Sequence, residues 1–229
     1  MKLSIDPFRY TSLAIIGPVR YLDLTFPTPE QNLACDEALL DGSEEGWGDE
    51  ILRFWEPAEY FIVVGYSGKI RSEVRLDNCQ KRKIPILRRV SGGGTVLQGP
   101  GCLNFSLVLN TTRSQALNNI RETNAYILER HKEALELCVP QKVGIQGLSD
   151  LTLGSFKFSG NAQRRKKQFL LFHGTFLIDF NIQLMNHLLP IPLIQPPYRN
   201  HRSHANFLTH INLPQTSIKE ALRSAWNVQ

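Results

Sequence analysis

The grouping of apolar residues along the chain restricts its fold more than any other feature of the sequence. Short segments rich in aromatic and β-branched residues, such as Ile51–Trp55 and Leu103–Leu109, are bounded by turn residues, a pattern typical of strands. Helices are predicted from the Thr28 capping box to about Gly42, and over Ser114–Cys138, where apolar residues recur at helical spacing. Because strands and helices are interspersed without strict alternation, the sequence predicts an α/β (α+β) fold, a mixed β-sheet with packed helices.

Three further predictions concern the pairing and extent of these elements. Ile51–Trp55 and Tyr60–Tyr66 flank Pro57 and predict two strands that pair with each other. The last helix is predicted to open at Ser217–Glu220, which has the pattern of a capping box. Since the sequence contains neither a repeat nor a low-complexity linker, residues 1–229 are expected to form a single domain.

Composition and charge narrow the classes of function. Of the 229 residues, 42% are hydrophobic and 21% are charged, as in ordinary globular proteins, and no apolar run approaches the ~18 residues that span a bilayer. The first residues lack the pattern of a secretory signal, so we expect a soluble, cytoplasmic protein. Twenty-six Lys and Arg against 21 Asp and Glu give a net charge of +5, which favours an anionic partner: a nucleotide, a nucleic acid, an acidic protein or a membrane surface.

The cysteines point to thiols rather than to disulfides or zinc. Four of them, Cys35, Cys79, Cys102 and Cys138, are widely separated and form no CxxC pair. Without a signal peptide they are expected to stay reduced, and no histidine pair at ligand spacing accompanies a cysteine pair. Cys138 comes at the end of a predicted helix and is expected to lie in the core.

A glycine cluster after a predicted strand is the most informative segment for function. It reads RRVSGGGTV and runs from Arg88 to Val96. Three glycines let the backbone approach a ligand closely and leave N–H groups free for phosphate or carboxylate oxygens, and the two arginines offer planar charged forks for the same anions. The segment matches neither a P-loop nor a GxGxxG fingerprint, and the glycines alone are equally compatible with a flexible tight turn.

Two later segments add candidate polar groups. Lys157 lies between Phe156 and Phe158 on a predicted strand that ends in Ser-Gly-Asn, and alternation along the strand turns the lysine either to solvent or to a cleft. His173 and Gly174 interrupt an apolar strand, where a glycine indicates a bulge or a close approach of another backbone.

In this order and spacing, these segments resemble the lipoate–protein ligase family, whose catalytic domains are shared with biotin ligases and octanoyltransferases. The resemblance runs from about residue 21 to residue 208 and rests on RRVSGGGTV, KFSGNAQRR, HGTFLIDF, Gly101–Ser106 and Asn32–Glu37 of the first helix. The glycine loop typical of biotin ligases is missing, so the resemblance to that branch is weaker.

The resemblance implies a reaction in two halves. A lipoate or octanoate carboxylate attacks the α-phosphate of ATP, with Mg²⁺ as the expected metal ion, and the resulting acyl-adenylate passes its acyl group to a lysine of an apo lipoyl domain. By position, Lys157 matches the active-site lysine of the family, and Asp150 is a candidate Mg²⁺ ligand because hard cations prefer carboxylates. The expected ATP- and lipoate-binding residues are Arg88, Arg89, Ser91, Gly92, Gly93, Gly94, Thr95, Val96, Leu97, Lys157, Ser159, Gly160 and His173.

The implied partners are acceptor proteins: the lipoyl domains of 2-oxoacid dehydrogenase acyltransferase subunits, or the H protein of the glycine-cleavage system. Many ligases of the family carry an additional C-terminal accessory domain. Because the sequence ends at Gln229, that module is expected to be absent or supplied by a separate accessory subunit.

Alternative functions stay open at this point. The segment Gln98–Gly101 resembles octanoyltransferases more than ligases, and a thioester route would need a reactive cysteine near the lysine. The only cysteine that fits such a nucleophile is Cys102, next to the glycine loop, because the segment Gly147–Asp150 contains none. The basic stretches also allow a nucleic-acid-binding module, although we expect no nucleic acid as a partner, and a catalytically idle acyl-binding relative is a further possibility.

Overall fold

We describe the fold from a computed structural model, which describes residues 19–228. The N-terminal segment in which we found no secretory pattern lies outside these residues. The strands are β1 (Val19–Asp23), β2 (Glu50–Trp55), β3 (Phe61–Val64), β4 (Ile86–Arg88), β5 (Val96–Gln98), β6 (Cys102–Asn110), β7 (Val143–Gln146), β8 (Asp150–Leu153), β9 (Phe156–Arg165) and β10 (Phe169–Leu177).

These strands form two mixed sheets. The large sheet has seven strands in the order β1-β2-β6-β10-β9-β8-β7, and the small sheet has three in the order β4-β3-β5. In the large sheet β1 and β2 are parallel and the other neighbours antiparallel, whereas in the small sheet β3 is parallel to β4 and antiparallel to β5. The predicted mixed α/β class is therefore confirmed.

The helices pack on these sheets. They are α1 (Pro29–Gly42), α2 (Ile70–Glu73), α3 (Leu76–Lys81), α4 (Ile120–Glu136), α5 (Ile182–Leu188), α6 (His204–Phe207) and α7 (Gln215–Ala225). The capping box before α1 is confirmed, since the Gln31 backbone N–H donates to the Thr28 hydroxyl and the Thr28 N–H donates to the Gln31 side chain. Within residues 19–228, none of the helices combines the length and apolar character needed to cross a bilayer.

The two faces of the large sheet differ in character. On one face, alternate residues of β6 and β10 such as Phe105, Phe172 and Phe176 pack with α4 and α7 around the fully buried Trp226. On the other face, α1 packs on the end of the sheet near Val108 and Leu171. Between α1 and the small sheet, this second face carries polar residues of neighbouring strands that stand in register: Arg53, Ser106, His173, Asn104 and Thr175. The candidate residues of β9 and β10 described below lie on this polar face.

Two predicted elements are corrected by the structure. β2 and β3 do not pair with each other, because the chain crosses from the large sheet to the small sheet between them, and β3 becomes the central strand of the small sheet. The predicted helix over Ser114–Cys138 starts only at Ile120. Ser114 caps a short 3₁₀ turn, and Asn119 then caps α4 through the Glu122 N–H.

The predictions for the last helix and for Cys138 are wrong as well. Helix α7 begins at Gln215, directly after Pro214, so that Ser217 lies inside its first turn and caps nothing. Cys138 is exposed at the end of α4. The neighbouring Leu135 and Val139 occupy the core positions that helical spacing assigned to this part of the chain.

Candidate active site

A β-bulge orients Lys157. The pairing of β8 with β9 shifts register between Leu151, opposite Ser159, and Thr152, opposite Lys157, so that Phe158 has no partner residue. A bulge of this kind turns side chains away from the regular alternation. Phe158 is fully buried in the core, whereas the Lys157 side chain reaches Gly160 and Asp150 on the polar face. The lysine side chain is thus 25% exposed and paired with Asp150 rather than free in solvent.

Asp150 and Tyr198 hold the lysine in place. The Lys157 Nζ lies 2.7 Å from Asp150 Oδ1, with the two side chains 25% and 11% exposed. The Tyr198 hydroxyl donates to Asp150 Oδ2 at 2.7 Å. Burial, followed by the charge of Asp150, raises the pKa of Tyr198 well above its ordinary value, which keeps the phenol protonated as a donor. The lysine is therefore fixed through a carboxylate whose two oxygens are both engaged.

This arrangement does not fit the predicted role of Asp150 as a Mg²⁺ ligand. Its oxygens are occupied by Lys157 and Tyr198, and residues 19–228 contain no group of three His, Cys, Asp or Glu side chains that could hold a metal ion. A Mg²⁺ ion commonly binds through one or two carboxylates and the phosphates of its substrate. Asp150 is therefore not free for that purpose in this arrangement.

Gly160 provides the space that Lys157 occupies. A Cβ atom on this glycine would lie 2.5 Å from Lys157 Nζ and 2.6 Å from its Cε. The glycine of the KFSGNAQRR segment is thus required for a close approach of a side chain. Ser159, by contrast, is buried, and Asn161 beside it donates from its side chain to the Ser149 carbonyl at 2.8 Å.

The two arginines before the glycine cluster bind the protein's own carbonyl groups. Arg89 Nη2 donates to the carbonyls of Gly92 at 2.7 Å and Gly94 at 2.9 Å, and burial lowers its pKa to about 10. Arg88 Nη1 donates to three carbonyls of the loop after β3, among them Gly65 at 2.6 Å. Arg89 therefore shapes the glycine loop, whose carbonyls turn towards it, and is not an open fork. Arg88 is exposed and bonds through Nη1 to the loop after β3, so its anion-binding role stays a prediction.

The glycine loop lies over β9. Gly93 has φ +90, and a Cβ there would be 3.8 Å from the Cβ of Ala162, which stands in the same strand as Gly160. Gly92, Gly93 and Gly94 are all exposed. Arg89 engages carbonyls of this loop, and the backbone N–H groups are left available to a ligand on the side that faces the lysine strand. The structure thus brings together the glycine cluster and the lysine segment.

The remaining predicted loop residues have mainly internal contacts. Thr95 donates to Glu73 Oε2 at 2.6 Å and ties the loop to α2. Leu97 is buried between the sheets, and Val96 packs against Trp55 and its neighbours. Ser91 is fully buried, and its Oγ lies 2.5 Å from His173 Nε2.

Comparison with known proteins places this geometry in a family. Residues 28–228 match the model of the lipoyl protein ligase A/B catalytic domain. The chain belongs to this family. Proteins similar to this chain include lipoate–protein ligases and octanoyltransferases.

The relatives cover both activities. Over 151 residues, 66% of this chain, it is 34% identical to a probable lipoate-protein ligase A of Mycoplasma pneumoniae, of which it covers 43%. Over 178 residues, 69% of this chain, it is 29% identical to the octanoyltransferase LipM of Clostridioides difficile, of which it covers 65%. The chain thus spans 43% and 65% of the length of these two relatives.

Solved structures show the same fold. The domain superposes on a bi-partite lipoate protein ligase of Thermoplasma acidophilum with a TM-score of 0.78 and 24% identity, covering 93% of this chain and 85% of the other. A lipoate-protein ligase A bound with ATP gives a TM-score of 0.76 at 23% identity, covering 92% and 85%. At this level of identity, the likeness shows the fold of lipoate-protein ligase catalytic domains.

The cysteines of this lipoyl protein ligase A/B domain are poorly suited to a thioester route. Cys102 is 1% exposed, and burial raises its pKa to about 12, which keeps it a thiol. Cys79 is buried too, and burial raises the pKa of the half-buried Cys35. Cys138 is exposed and precedes β7. It therefore lies towards the open end of the β7–β8 hairpin, whereas Asp150 follows the turn at the other end.

Sequence reasoning missed two residues of the site. Tyr198 lies 48 positions from Asp150 in a proline-rich loop, and no local signal joins it to the lysine. Asp36 has its Oδ2 3.9 Å from His173 Nδ1. It belongs to Asn32–Glu37, the segment of the first helix that carries part of the family resemblance, and this membership is the signal that could have identified it.

Proposed function

We propose that this protein is an ATP-dependent lipoate–protein ligase that acts on lipoate or octanoate. The observation that carries the proposal is the position of Lys157, a donor held by Asp150 on the strand over which the exposed glycine loop lies, together with the burial of Cys102 in an apolar cluster. Such a site stabilises negative charge on phosphate and carboxylate oxygens, which is what acyl-adenylate chemistry requires. It supplies no nucleophile of its own.

In the first half-reaction the acyl carboxylate oxygen attacks the α-phosphorus of ATP, and pyrophosphate leaves. Charge on the phosphoryl oxygens is the main barrier in such transfers, and positioned donors lower it. Lys157 and the N–H groups of Gly92–Gly94 are the donors available on the polar face. Asp150 and Tyr198 keep the ammonium group in position, so that little reorganisation accompanies substrate binding.

In the second half-reaction the amine of an acceptor lysine attacks the acyl carbonyl, an amide forms and AMP leaves. The same donors stabilise the oxyanion and the departing phosphate. We expect Mg²⁺ to arrive with the ATP phosphates, and no step depends on a carboxylate of this chain holding it. The acceptor is expected to be an apo lipoyl domain of a 2-oxoacid dehydrogenase or the H protein.

Two surface features are compatible with an acidic acceptor. Lys69, Arg71 and Arg164 are exposed and form no ion pair with any residue of the described range. Arg164 stacks over the exposed Tyr66 at 5.4 Å, and the Tyr66 N–H donates to the Ser91 carbonyl next to the glycine loop. Charge of this kind steers the encounter of proteins more than it sets their affinity.

Lipoate-dependent exchange of labelled pyrophosphate into ATP tests the first half-reaction directly. We expect exchange with wild-type protein and its loss with Lys157→Ala, whereas Lys132→Ala, which removes a lysine paired with Glu129 on α4, serves as the matched control. A separate accessory subunit, as in the bi-partite ligase of T. acidophilum, is to be added if a gene for one accompanies this chain. Absence of exchange, together with ATP-independent transfer from an octanoyl carrier protein, would contradict the proposal.

The second candidate function is octanoyl transfer from a thioester donor. It is favoured by the similarity to LipM of C. difficile and by the Gln98–Gly101 segment. It is opposed by the placement of the cysteines, since Cys102 packs in the apolar cluster between the sheets. The nucleic-acid-binding alternative receives no support from membership of this family.

A further inference from the structure

Ser91 in the glycine loop is the end of a buried series of polar contacts that reaches across the large sheet. Its Oγ lies 2.5 Å from Nε2 of His173 on β10. The other ring nitrogen of this histidine, Nδ1, lies 3.9 Å from Oδ2 of Asp36 on α1. Asp36 Oδ1 in turn accepts a hydrogen bond of 2.5 Å from Arg53 on β2. None of these contacts is used by the chemistry proposed above.

One arrangement of the hydrogen bonds around Ser91 links it to both Arg89 and His173. Arg89 Nε donates to Ser91 Oγ at 3.1 Å, and an arginine has no acceptor. The hydroxyl proton of Ser91 can therefore go to His173 Nε2, which accepts only when the ring proton is on Nδ1. That proton then faces Asp36, at a distance suited to charge attraction and too long for a hydrogen bond. This tautomer turns an acceptor towards Ser91 and an N–H towards Asp36.

The far end of the series is rigid. The Arg53 side chain is fully buried and also donates to Asn32 Oδ1 at 2.6 Å and to the Leu24 carbonyl at 2.9 Å. Its guanidinium lies over the Phe26 and Trp55 rings at 5.8 and 5.5 Å. A buried arginine with this many partners holds its carboxylate in one place. Asp36 is therefore a fixed point against which the position of His173 is set.

We propose that His173 and Asp36 are positioning residues, which hold Ser91 and through it the backbone of Gly92–Gly94 in the conformation that receives the substrate anions. Ser91 is not a nucleophile in this arrangement, since it has no exposed surface and its oxygen already accepts from Arg89. Which anion the loop receives rests on the proposed function. The effect of His173 on the loop itself does not.

Hydrogen exchange of the hydrogen-bonded amides around the loop, followed by mass spectrometry of peptides that cover Tyr66 and residues 88–97, tests the positioning role without any substrate. The Tyr66 N–H donates to the Ser91 carbonyl at 2.8 Å, and the Arg89 N–H donates to the Val64 carbonyl at 3.0 Å. We expect these two amides to exchange at least about tenfold faster in His173→Ala and in Ser91→Ala, since the contact that holds Ser91 is lost. The double variant should exchange no faster than the faster single variant, because both changes remove the contact between Ser91 and His173. His173→Gln, whose side-chain oxygen can accept from Ser91, should largely restore the protection.

His187→Ala is the matched control, because that histidine is exposed on α5. The amides around the glycine loop should exchange in this variant at the wild-type rate. Unchanged exchange in a folded His173→Ala protein would overturn the proposal. So would a double variant in which the effects of the two single changes simply add.

A kinetic readout separates positioning from chemistry. We expect His173→Ala to raise the KM for lipoate or ATP about tenfold and to keep kcat within about threefold of the wild-type value. This pattern arises when the lost interaction contributes the same binding energy in the ground state and in the transition state. A collapse of kcat at unchanged KM would instead make His173 a catalytic group and overturn the positioning role. If the wild type shows no ligase activity but the exchange results hold, the proposed function fails and the positioning role stands.

Discussion

Replacing Gly160 by alanine should strongly lower the proposed activity while leaving the fold intact. The new Cβ would lie 2.5 Å from Lys157 Nζ and 2.6 Å from its Cε. Ordinary contacts between such atoms are about 3.5–4 Å, so the ammonium group must move by roughly 1 Å or more. That displacement breaks the 2.7 Å ion pair with Asp150. A misplacement of about 1 Å costs on the order of 10²-fold in rate, and we expect a loss of kcat/KM of that size.

The stability of the Gly160→Ala protein should change little. Gly160 is not among the glycines with positive φ, and the atoms that the Cβ would meet are the flexible end of a lysine side chain. Changes of this kind usually stay within about 1 kcal/mol. Urea unfolding measures this free energy, and the rate of acceptor modification by intact mass measures activity.

Gly42→Ala is the matched control for this experiment. Gly42 ends α1, and a Cβ there would lie 2.5 Å from the exposed ring of Trp47 rather than beside the lysine. We expect this variant to keep wild-type activity even if its stability falls. Wild-type kcat/KM in Gly160→Ala, or an equal loss in Gly42→Ala, would refute the reasoning.

Three further predictions concern other residues of the site and the core. Lys157→Ala should lower acyl transfer by on the order of 10²–10³-fold, which is the usual effect of removing one charge-stabilising donor, and should leave the circular dichroism spectrum unchanged. Near-normal transfer, measured by the intact mass of the acceptor, would remove Lys157 from the mechanism. Cys102→Ser should retain activity and lose about 1–3 kcal/mol of unfolding free energy, because a hydroxyl replaces a thiol in an apolar cluster; a complete loss of activity at normal fold would support the thioester route. Burial, with a smaller effect of Arg130, lowers the pKa of His131 to about 3, so the folded ring is neutral while the unfolded one takes up a proton below about pH 6.5. Stability should therefore fall by up to about 1.4 kcal/mol per pH unit as the pH drops from about 6.5 towards 3, and His131→Gln should show a shallower fall in urea titrations; an identical pH dependence in both proteins would contradict this.

Local signals in the sequence predicted much of the fold and part of the site. The Thr28 capping box depends on residues four positions apart or fewer, and it formed as expected. The three segments around Gly92, Lys157 and His173 were recognised by their order, and the structure brings them together on one face of the sheet.

The features that sequence reasoning missed depend on contacts between distant residues. Arg89 was expected to face a ligand, yet it donates to loop carbonyls, because a curved loop directs its own carbonyls inward and a guanidinium satisfies them. Tyr198 reaches Asp150 from a loop 48 positions away. The pairing of β3 with β4 and β5 follows from the packing of two sheets, which no periodicity in the chain encodes.

The most direct test of the central claim is the intact mass of an apo lipoyl domain after incubation with this protein and lipoate, with and without MgATP. A parallel incubation contains octanoyl carrier protein and no ATP. The ATP-dependent ligase that we propose predicts a lipoyl adduct only when lipoate and MgATP are both present, and none with Lys157→Ala. Modification only from the carrier protein would contradict the ligase and direct attention to the thioester route.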